Sequence, residues 1–205
     1  SLKSVVIPSK VKTIGYAAFS GCSGLTSFEI NSGVLEKTGS FIFYGCKNLK
    51  EVKLNGALKK IPKNMFADAS YLEKVIIPKS VTSIDSMSFC ECNSLKSIVI
   101  PENVTYIGYS AFAGCAQLKS VVVPAKVNEI KWCAFEDCTA LTSVTVKNKN
   151  VKFGVQVFRN DNNLTIKCYK NSTAHKYALD NKIKCSPTLG NSSGNTVTAN
   201  AVKGL

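Results

Sequence analysis

The apolar positions of the chain recur with a period of about 23 residues. A leucine opens each unit, and successive leucines are 23 residues apart except for one interval of 24. The fourth and sixth residues of a unit are also apolar, as Val121 and Val123 are in the unit that starts at Leu118. This alternation predicts a short strand with one buried face. The opening leucines are Leu2, Leu25, Leu49, Leu72, Leu95, Leu118, Leu141 and Leu164.

The second half of each unit is equally regular. A proline such as Pro124 often ends the strand, because it lacks an N–H and fixes φ, and a second apolar pair such as Val127 and Ile130 follows. The small residues before each central phenylalanine predict a brief helical turn opposite the strand. The phenylalanines should stack as an aromatic column, formed by Phe19, Phe43, Phe66, Phe89, Phe112, Phe135 and Phe158.

A 23-residue unit cannot bury its own apolar face, so the units must stack on one another. The pattern therefore predicts an α/β solenoid of about eight coils, with a parallel β-sheet on one face and short helical turns on the other. Residues 1–185 should form this domain. Its last part, about 164–185, changes pattern and shows helical spacing within 172–181, as expected of a cap. Residues 186–205 are rich in Ser, Thr, Asn and Gly and predict a flexible linker.

The unit from Leu95 to Gln117, LKSIVIPENVTYIGYSAFAGCAQ, resembles the BspA-type class of leucine-rich repeats. The resemblance extends from residue 1 to about 185. It implies a leucine-rich-repeat superhelix from a bacterial surface protein, since this class occurs in surface proteins of oral and gut bacteria and of parasitic protists. The described members are mostly adhesins or binding modules. An extracellular or cell-surface location and a non-enzymatic, adhesive role are therefore implied by the resemblance rather than by the spacing.

The chain carries 26 basic and 13 acidic residues, for a formal net charge of +13. Arg159 is the only arginine, whereas proteins that read nucleic acid specifically depend on the bidentate guanidinium group. The lysines are also spread along the chain rather than clustered. We therefore expect no specific nucleic acid partner, although a polyanion held by lysines is an alternative. The apolar runs are too short for membrane insertion, and we expect a monomer.

Nine cysteines invite a disulfide framework, but five of them occupy one column of the repeat. Their side chains should point into the core as a ladder of free thiols, with Cβ vectors that run parallel rather than toward each other. The four others are better candidates for a bridge: Cys90, Cys133, Cys168 and Cys185. The ladder consists of Cys22, Cys46, Cys92, Cys115 and Cys138.

Sequence signals for catalysis are absent. His175 is the only histidine, and the spacings of Cys90 with Cys92 and of Cys133 with Cys138 differ from the paired C-x-x-C arrangement of structural zinc. No phosphate-binding, nucleophile-elbow or zinc-protease motif occurs. We therefore expect no catalytic residue, no metal and no cofactor.

The outward positions of the strands provide the one candidate binding site. The third and fifth residues of a unit face away from the core, and three consecutive units carry a branched aliphatic residue at the fifth position. This apolar stripe with a polar border is a candidate surface for a protein or glycan ligand, including an extracellular component of a host. Alternatively, β-branched residues are present only because they suit strands. The candidate residues are Lys74, Ile76, Ser97, Val99, Ser120 and Val122.

The leading functional hypothesis is a secreted or cell-surface recognition module. The alternative is an accessory targeting segment of a larger surface enzyme, and a catalytic motif elsewhere in the full reading frame would distinguish the two. The chain opens at Ser1-Leu2 without a polar cap over the first coil. We therefore expect it to be part of a longer array.

Overall fold

The computed structural model describes residues 2–31, 35, 37–55 and 58–190. These residues form a succession of coils stacked as a parallel β-solenoid of about eight turns. The front strands pair in the order β1-β3-β5-β7 and β10-β12-β14-β15, and all of these pairs are parallel. They are β1 (Ser4–Ile7), β3 (Ser27–Ile30), β5 (Glu51–Leu54), β7 (Lys74–Ile76), β10 (Ser120–Val123), β12 (Ser143–Val146), β14 (Thr165–Tyr169) and β15 (Lys184–Leu189).

A second ladder of two-residue strands follows the turn of each coil. Its strands pair in the orders β2-β4 and β6-β8-β9-β11-β13, again parallel. Residues 95–100 lie between β7 and β10 and belong to no strand, although Ile98 and Ile100 keep the inward orientation of the repeat. The strands are β2 (Thr13–Ile14), β4 (Lys37–Thr38), β6 (Lys60–Ile61), β8 (Ser83–Ile84), β9 (Tyr106–Ile107), β11 (Glu129–Ile130) and β13 (Lys152–Phe153).

The described coils have turns with left-handed residues at the predicted helical turns, so the α/β description is supported only weakly, by one short helix. In the fifth coil, the N–H groups of Ser110, Phe112 and Gly114 donate to carbonyl groups of the next coil at 2.8 to 3.0 Å. Ser110 and Gly114 have φ of 48° and 73°. These left-handed residues turn alternate N–H groups toward the neighbouring coil, whereas a helix would bond them within its own segment.

The phenylalanine column forms the centre of the core. Adjacent rings lie 5.1 to 5.8 Å apart between centroids, with interplanar angles of at most 19°. The spacing is close to the separation of about 4.8 Å between neighbouring strands, so each ring stacks on the ring of the next coil. The rings of Phe43 through Phe135 are fully buried, whereas Phe19 of the first coil is only partly buried.

The cap predicted for residues 164–185 contains the only helix among the described residues, α1 (Thr173–Asp180). The hydroxyl of Ser172 accepts a hydrogen bond from the His175 N–H at 3.1 Å, which begins the helix as an N-cap. Tyr177 stacks on Phe153 at 4.4 Å, and its hydroxyl accepts from the Val157 N–H at 3.1 Å. The helix thereby covers the end of the aromatic column.

The boundary between cap and linker differs from the sequence prediction. Residues 186–189, assigned to the linker, are part of β15, which pairs with β14. Their sequence contains Pro187, whose missing N–H conceals the strand from a pattern search but is tolerated at the outer strand of the sheet. The rest of the predicted linker, residues 191–205, lies outside the described residues.

Candidate functional site

The front face of the solenoid presents the predicted apolar stripe, which we define as Ile76, Val99 and Val122. Their exposed fractions are 44%, 80% and 45%. The strand geometry requires this exposure, because Val75, Ile98 and Val121 on either side of them point into the core and alternate residues point to opposite faces. Three aliphatic side chains are therefore held in a row by the backbone of three consecutive coils.

A polar border surrounds the stripe. Lys74, Ser97 and Ser120, the third residues of the same coils, are all exposed. The strand register places Lys53 beside Ile76 and Thr145 beside Val122, so the stripe ends in polar side chains in both directions along the sheet. An apolar centre with a polar rim is the ordinary composition of a protein interface.

Ion pairs anchor part of this border. The Lys74 ammonium lies 3.9 Å from the Glu51 carboxylate, and the Lys96 ammonium lies 3.6 Å from that of Glu73. Both pairs join neighbouring coils at exposed positions, where such pairs contribute little to stability. Each pair nevertheless places a carboxylate beside a lysine next to the stripe.

The structure exposes all six residues predicted from the sequence on one face, but it does not give them equal local structure. Lys74 and Ile76 lie in β7, and Ser120 and Val122 lie in β10, whereas Ser97 and Val99 belong to the unassigned segment between these strands. Val99, at the centre of the stripe, is thus both its most exposed side chain and the one outside the regular sheet.

A row of large exposed apolar side chains on the opposite side was not predicted from the sequence. Tyr109, Trp132 and Val155 occupy the position three residues before the column phenylalanine in successive coils, and Trp132 is 58% exposed. The same position carries Ser40, Lys63 and Ser86 in earlier coils. Tyr16 occupies this position in the first coil and is 71% exposed. Reading this column along the repeat would have identified the row, because its last three members are all large and apolar.

A polar cleft of about 640 Å³ lies between the last coil and the cap. Its lining includes Arg159, Asn160, Asn163, Asn181 and Lys182. Amide and cationic side chains dominate this set, so the cleft suits hydrogen-bonding ligands rather than apolar ones.

The cysteine ladder has the predicted orientation, and all nine cysteines are free thiols. Cys46, Cys92, Cys115 and Cys138 are fully buried, and Cys22 in the first coil is partly buried. The buried thiols are also hydrogen-bond donors: each Sγ lies 2.9 to 3.2 Å from the carbonyl oxygen of the column phenylalanine in an earlier coil. The ladder therefore satisfies backbone acceptors in addition to filling space.

These thiols are poor nucleophiles. Burial raises the pKa of Cys92, Cys115 and Cys138 well above the ordinary value for a thiol, so the reactive thiolate is scarce at neutral pH. Across the described residues, no three side chains of His, Cys, Asp or Glu come together to hold a metal ion. His175 lies in the first turn of α1, and its Nδ1 accepts a hydrogen bond from the Asn171 N–H.

The stacked parallel coils, the repeat leucines and the aromatic column define a leucine-rich-repeat solenoid. The family model for the BspA type leucine rich repeat region, in six copies, matches residues 1–107 and 82–188. The chain therefore belongs to the BspA-type leucine-rich repeat family, which confirms the resemblance carried by its repeat. None of the curated protein sequences matches it.

Three solved structures resemble this fold. A leucine rich cell surface protein from Faecalibacterium prausnitzii is 31% identical with a TM-score of 0.72; the match covers 84% of this chain and 48% of that one. The chain thus spans about half the length of that relative. A leucine-rich repeat protein from Bacteroides ovatus (23% identity, TM-score 0.57, 80% and 63% covered) and one from T. pallidum (23%, 0.55, 90% and 85% covered) share the fold.

Nothing helical in the described part of the chain reaches the length and apolarity of a membrane crossing.

Proposed function

We propose that this chain is a non-enzymatic recognition module of a bacterial cell surface, which binds a protein or glycan ligand through its front face. The apolar stripe carries this proposal. Soluble proteins rarely hold a contiguous row of aliphatic side chains in water without a partner, whereas isolated exposed aliphatics are normal. The surface location is supported by the similarity to the F. prausnitzii cell surface protein.

The stripe has the features of a preformed interface. Each of its residues follows a buried one, because Val75, Ile98 and Val121 are all packed in the core, so little conformational entropy is lost when a partner binds. The neighbouring ion pairs at Lys74 and Lys96 make long-range attraction of polyanions a weaker explanation for binding at this site. We therefore expect the affinity to depend on desolvation of Ile76, Val99 and Val122 more than on salt.

The test introduces a negative charge at the centre of the stripe. A panel of host extracellular glycoproteins is first screened with the unmodified protein, and one binder is carried forward with heparin as a polyanion comparison. Val99→Glu should leave the fold intact, because the side chain is exposed, and should weaken binding by well over tenfold, because a desolvated interface tolerates an unpaired charge poorly.

The matched control is Val6→Glu. Val6 occupies the same position of the first coil and is 58% exposed, but its register neighbour is Glu29 rather than an aliphatic residue. This variant should bind as the parent does. Full binding by a folded Val99→Glu protein would exclude the stripe. If instead Lys→Gln changes and added salt abolish binding while Val99→Glu does not, the ligand is a polyanion held by lysines.

A further inference from the structure

Two of the nine thiols contact each other. The sulfur atoms of Cys168 and Cys185 lie 3.5 Å apart, within hydrogen-bonding distance for thiols. Cys168 is buried and Cys185 is partly buried. Both residues belong to the cap, on the last two strands of the front sheet, β14 and β15.

The strand pairing explains why these side chains meet. Ile166 of β14 lies opposite Cys185 of β15, so Cys168 and Cys185 are diagonal neighbours that both point inward. The register shifts just beyond this point, between Lys167 and Tyr169, where β15 contains Pro187. A proline removes a ladder hydrogen bond and favours such an irregularity.

The ladder thiols have a different arrangement. Cys92, Cys115 and Cys138 direct their sulfur atoms to backbone carbonyl groups, so their neighbours in the column are not their hydrogen-bond partners. Cys168 and Cys185 form the one thiol pair with mutual contact in the described range. A metal site is a poor alternative there, because the structure gives the two sulfurs no third ligand among the described His, Cys, Asp and Glu side chains.

We propose that Cys168 and Cys185 form a reversible disulfide, by exchange with a low-molecular-weight disulfide, that fastens β15 to the solenoid. The bond requires the sulfur separation to fall from 3.5 Å to about 2.05 Å. β15 can make this movement, because among the described residues it is the outermost strand of its sheet and pairs only with β14.

The exchange proceeds in two balanced steps. The thiolate of Cys185, the more accessible residue, attacks one sulfur of the small disulfide and releases one small thiol, which leaves a mixed disulfide. The thiolate of Cys168 then attacks the Cys185 sulfur and releases the second small thiol. The two protein thiols lose two electrons and two protons, and the small disulfide gains them.

The bond would close a covalent loop of the chain that contains the capping helix. The two cysteines are 17 residues apart, and α1 lies between them. In the reduced protein, β15 is held by its pairing with β14 and by packing against α1. The oxidised protein cannot release β15 without opening the bond, so this end of the sheet remains fixed to the solenoid.

The pH dependence of the reaction provides an independent signature. Burial raises the pKa of Cys185 to about 11, and the hydrogen bond with Cys168 adds to the rise. The thiolate is the attacking species, so the oxidation rate should increase about tenfold for each pH unit between 7 and 10.

The experiment treats the full chain with glutathione disulfide at pH 8.5 and maps its cysteines by mass spectrometry of proteolytic peptides. The expected product is one peptide pair joined through Cys168 and Cys185, which dithiothreitol restores to free thiols. Amide hydrogen exchange of residues 184–189 should slow at least fivefold on oxidation, while that of residues 106–123 stays constant. Cys168→Ser should accumulate the mixed disulfide at Cys185.

Cys92→Ser is the matched control, since it removes a ladder thiol and should leave the bridge unchanged. A stable mixed disulfide at Cys185 in the unmodified protein, a bridge between ladder cysteines, or the absence of any reaction at pH 8.5 and pH 10 would each overturn the proposal. None of these readouts depends on ligand binding, so failure of the recognition function leaves this test unaffected.

Discussion

Single side chains in the aromatic column fill space that neighbouring coils share. The ring of Phe112 stacks on those of Phe89 and Phe135, with both centroids 5.1 Å away, and it is fully buried. Removing such a ring leaves a cavity with rigid walls, because the coils above and below are held by backbone hydrogen bonds. The free energy of unfolding therefore falls by more than the transfer free energy of the ring alone.

Phe112→Ala should lower the free energy of unfolding by about 3 to 5 kcal/mol. Phe158→Ala, in the last coil, should cost less, because Phe158 has one column neighbour and is slightly exposed. Urea unfolding followed by circular dichroism measures both. An unchanged midpoint and slope for Phe112→Ala would show that the column is not part of the core.

At the scale of a coil, the cysteine column has one charged member. Asp161 replaces the cysteine in the seventh coil, where it is 6% exposed and neither carboxyl oxygen has a hydrogen-bond partner of normal geometry. Burial raises the pKa of Asp161 to about 7, against the opposite effect of the Cys138 N–H, and the charge of Asp137 adds to the rise. The folded coil therefore favours the protonated acid.

This raised pKa predicts a loss of stability with increasing pH. The stabilisation from a neutral Asp161 is complete below about pH 4, where the carboxyl group is also protonated in the unfolded chain, and it decreases until the folded group ionises near pH 7. The rise in pKa sets an upper bound of about 4 kcal/mol on the stability that is lost as the pH increases. We expect a loss of about 2 kcal/mol, because the group is partly hydrated.

Asp161→Asn and Asp161→Cys isolate this effect. Both variants should unfold at a higher urea concentration than the parent at pH 8, and the difference should shrink at pH 5. Asp161→Cys restores the thiol of the column, which should also place a donor near the preceding coil. If the parent and both variants show the same change in midpoint between pH 5 and pH 8, the pKa of Asp161 is not raised in the folded coil.

Across the whole molecule, burial depends on position in the stack. Each coil packs against its neighbours, and the exposed pair of Lys147 with Glu102 is a contact between coils two apart. Stability is therefore approximately a sum of coil and interface contributions. The first coil has one neighbour, and its Phe19 and Cys22 are only partly buried, whereas Phe112 and Cys115 of the fifth coil are fully buried. At the other end, Tyr177 of the cap covers the aromatic column, and its hydroxyl accepts a hydrogen bond from the Val157 N–H.

Amide hydrogen exchange should follow this gradient. We expect the slowest exchange in residues 106–123 and an at least tenfold faster exchange in β1 and β2, because the first coil opens at the cost of a single interface. Tyr177→Ala should accelerate exchange in residues 152–169 and leave β1 and β2 unchanged. Uniform exchange along the chain would show that the coils open together as one cooperative unit.

The amino-acid sequence by itself determined the repeat, the inward face of each strand and the order of the aromatic column. These features are local and repeat at a fixed period, so every coil supplies independent support for the same register. The same reasoning placed Ile76, Val99 and Val122 on one exposed face, because side-chain direction in a strand alternates with a period of two. The orientation of the cysteine ladder followed in the same way.

Only the tertiary structure decided the features that depend on contacts between coils. The back of each coil forms left-handed turns rather than helices, because residues such as Ser110 donate to the next coil instead of to their own segment. The sequence pattern did not predict the strand β15, because it contains Pro187, yet the strand forms through its pairing with β14. The contact between Cys168 and Cys185 depends on that pairing, which the period of the repeat does not predict.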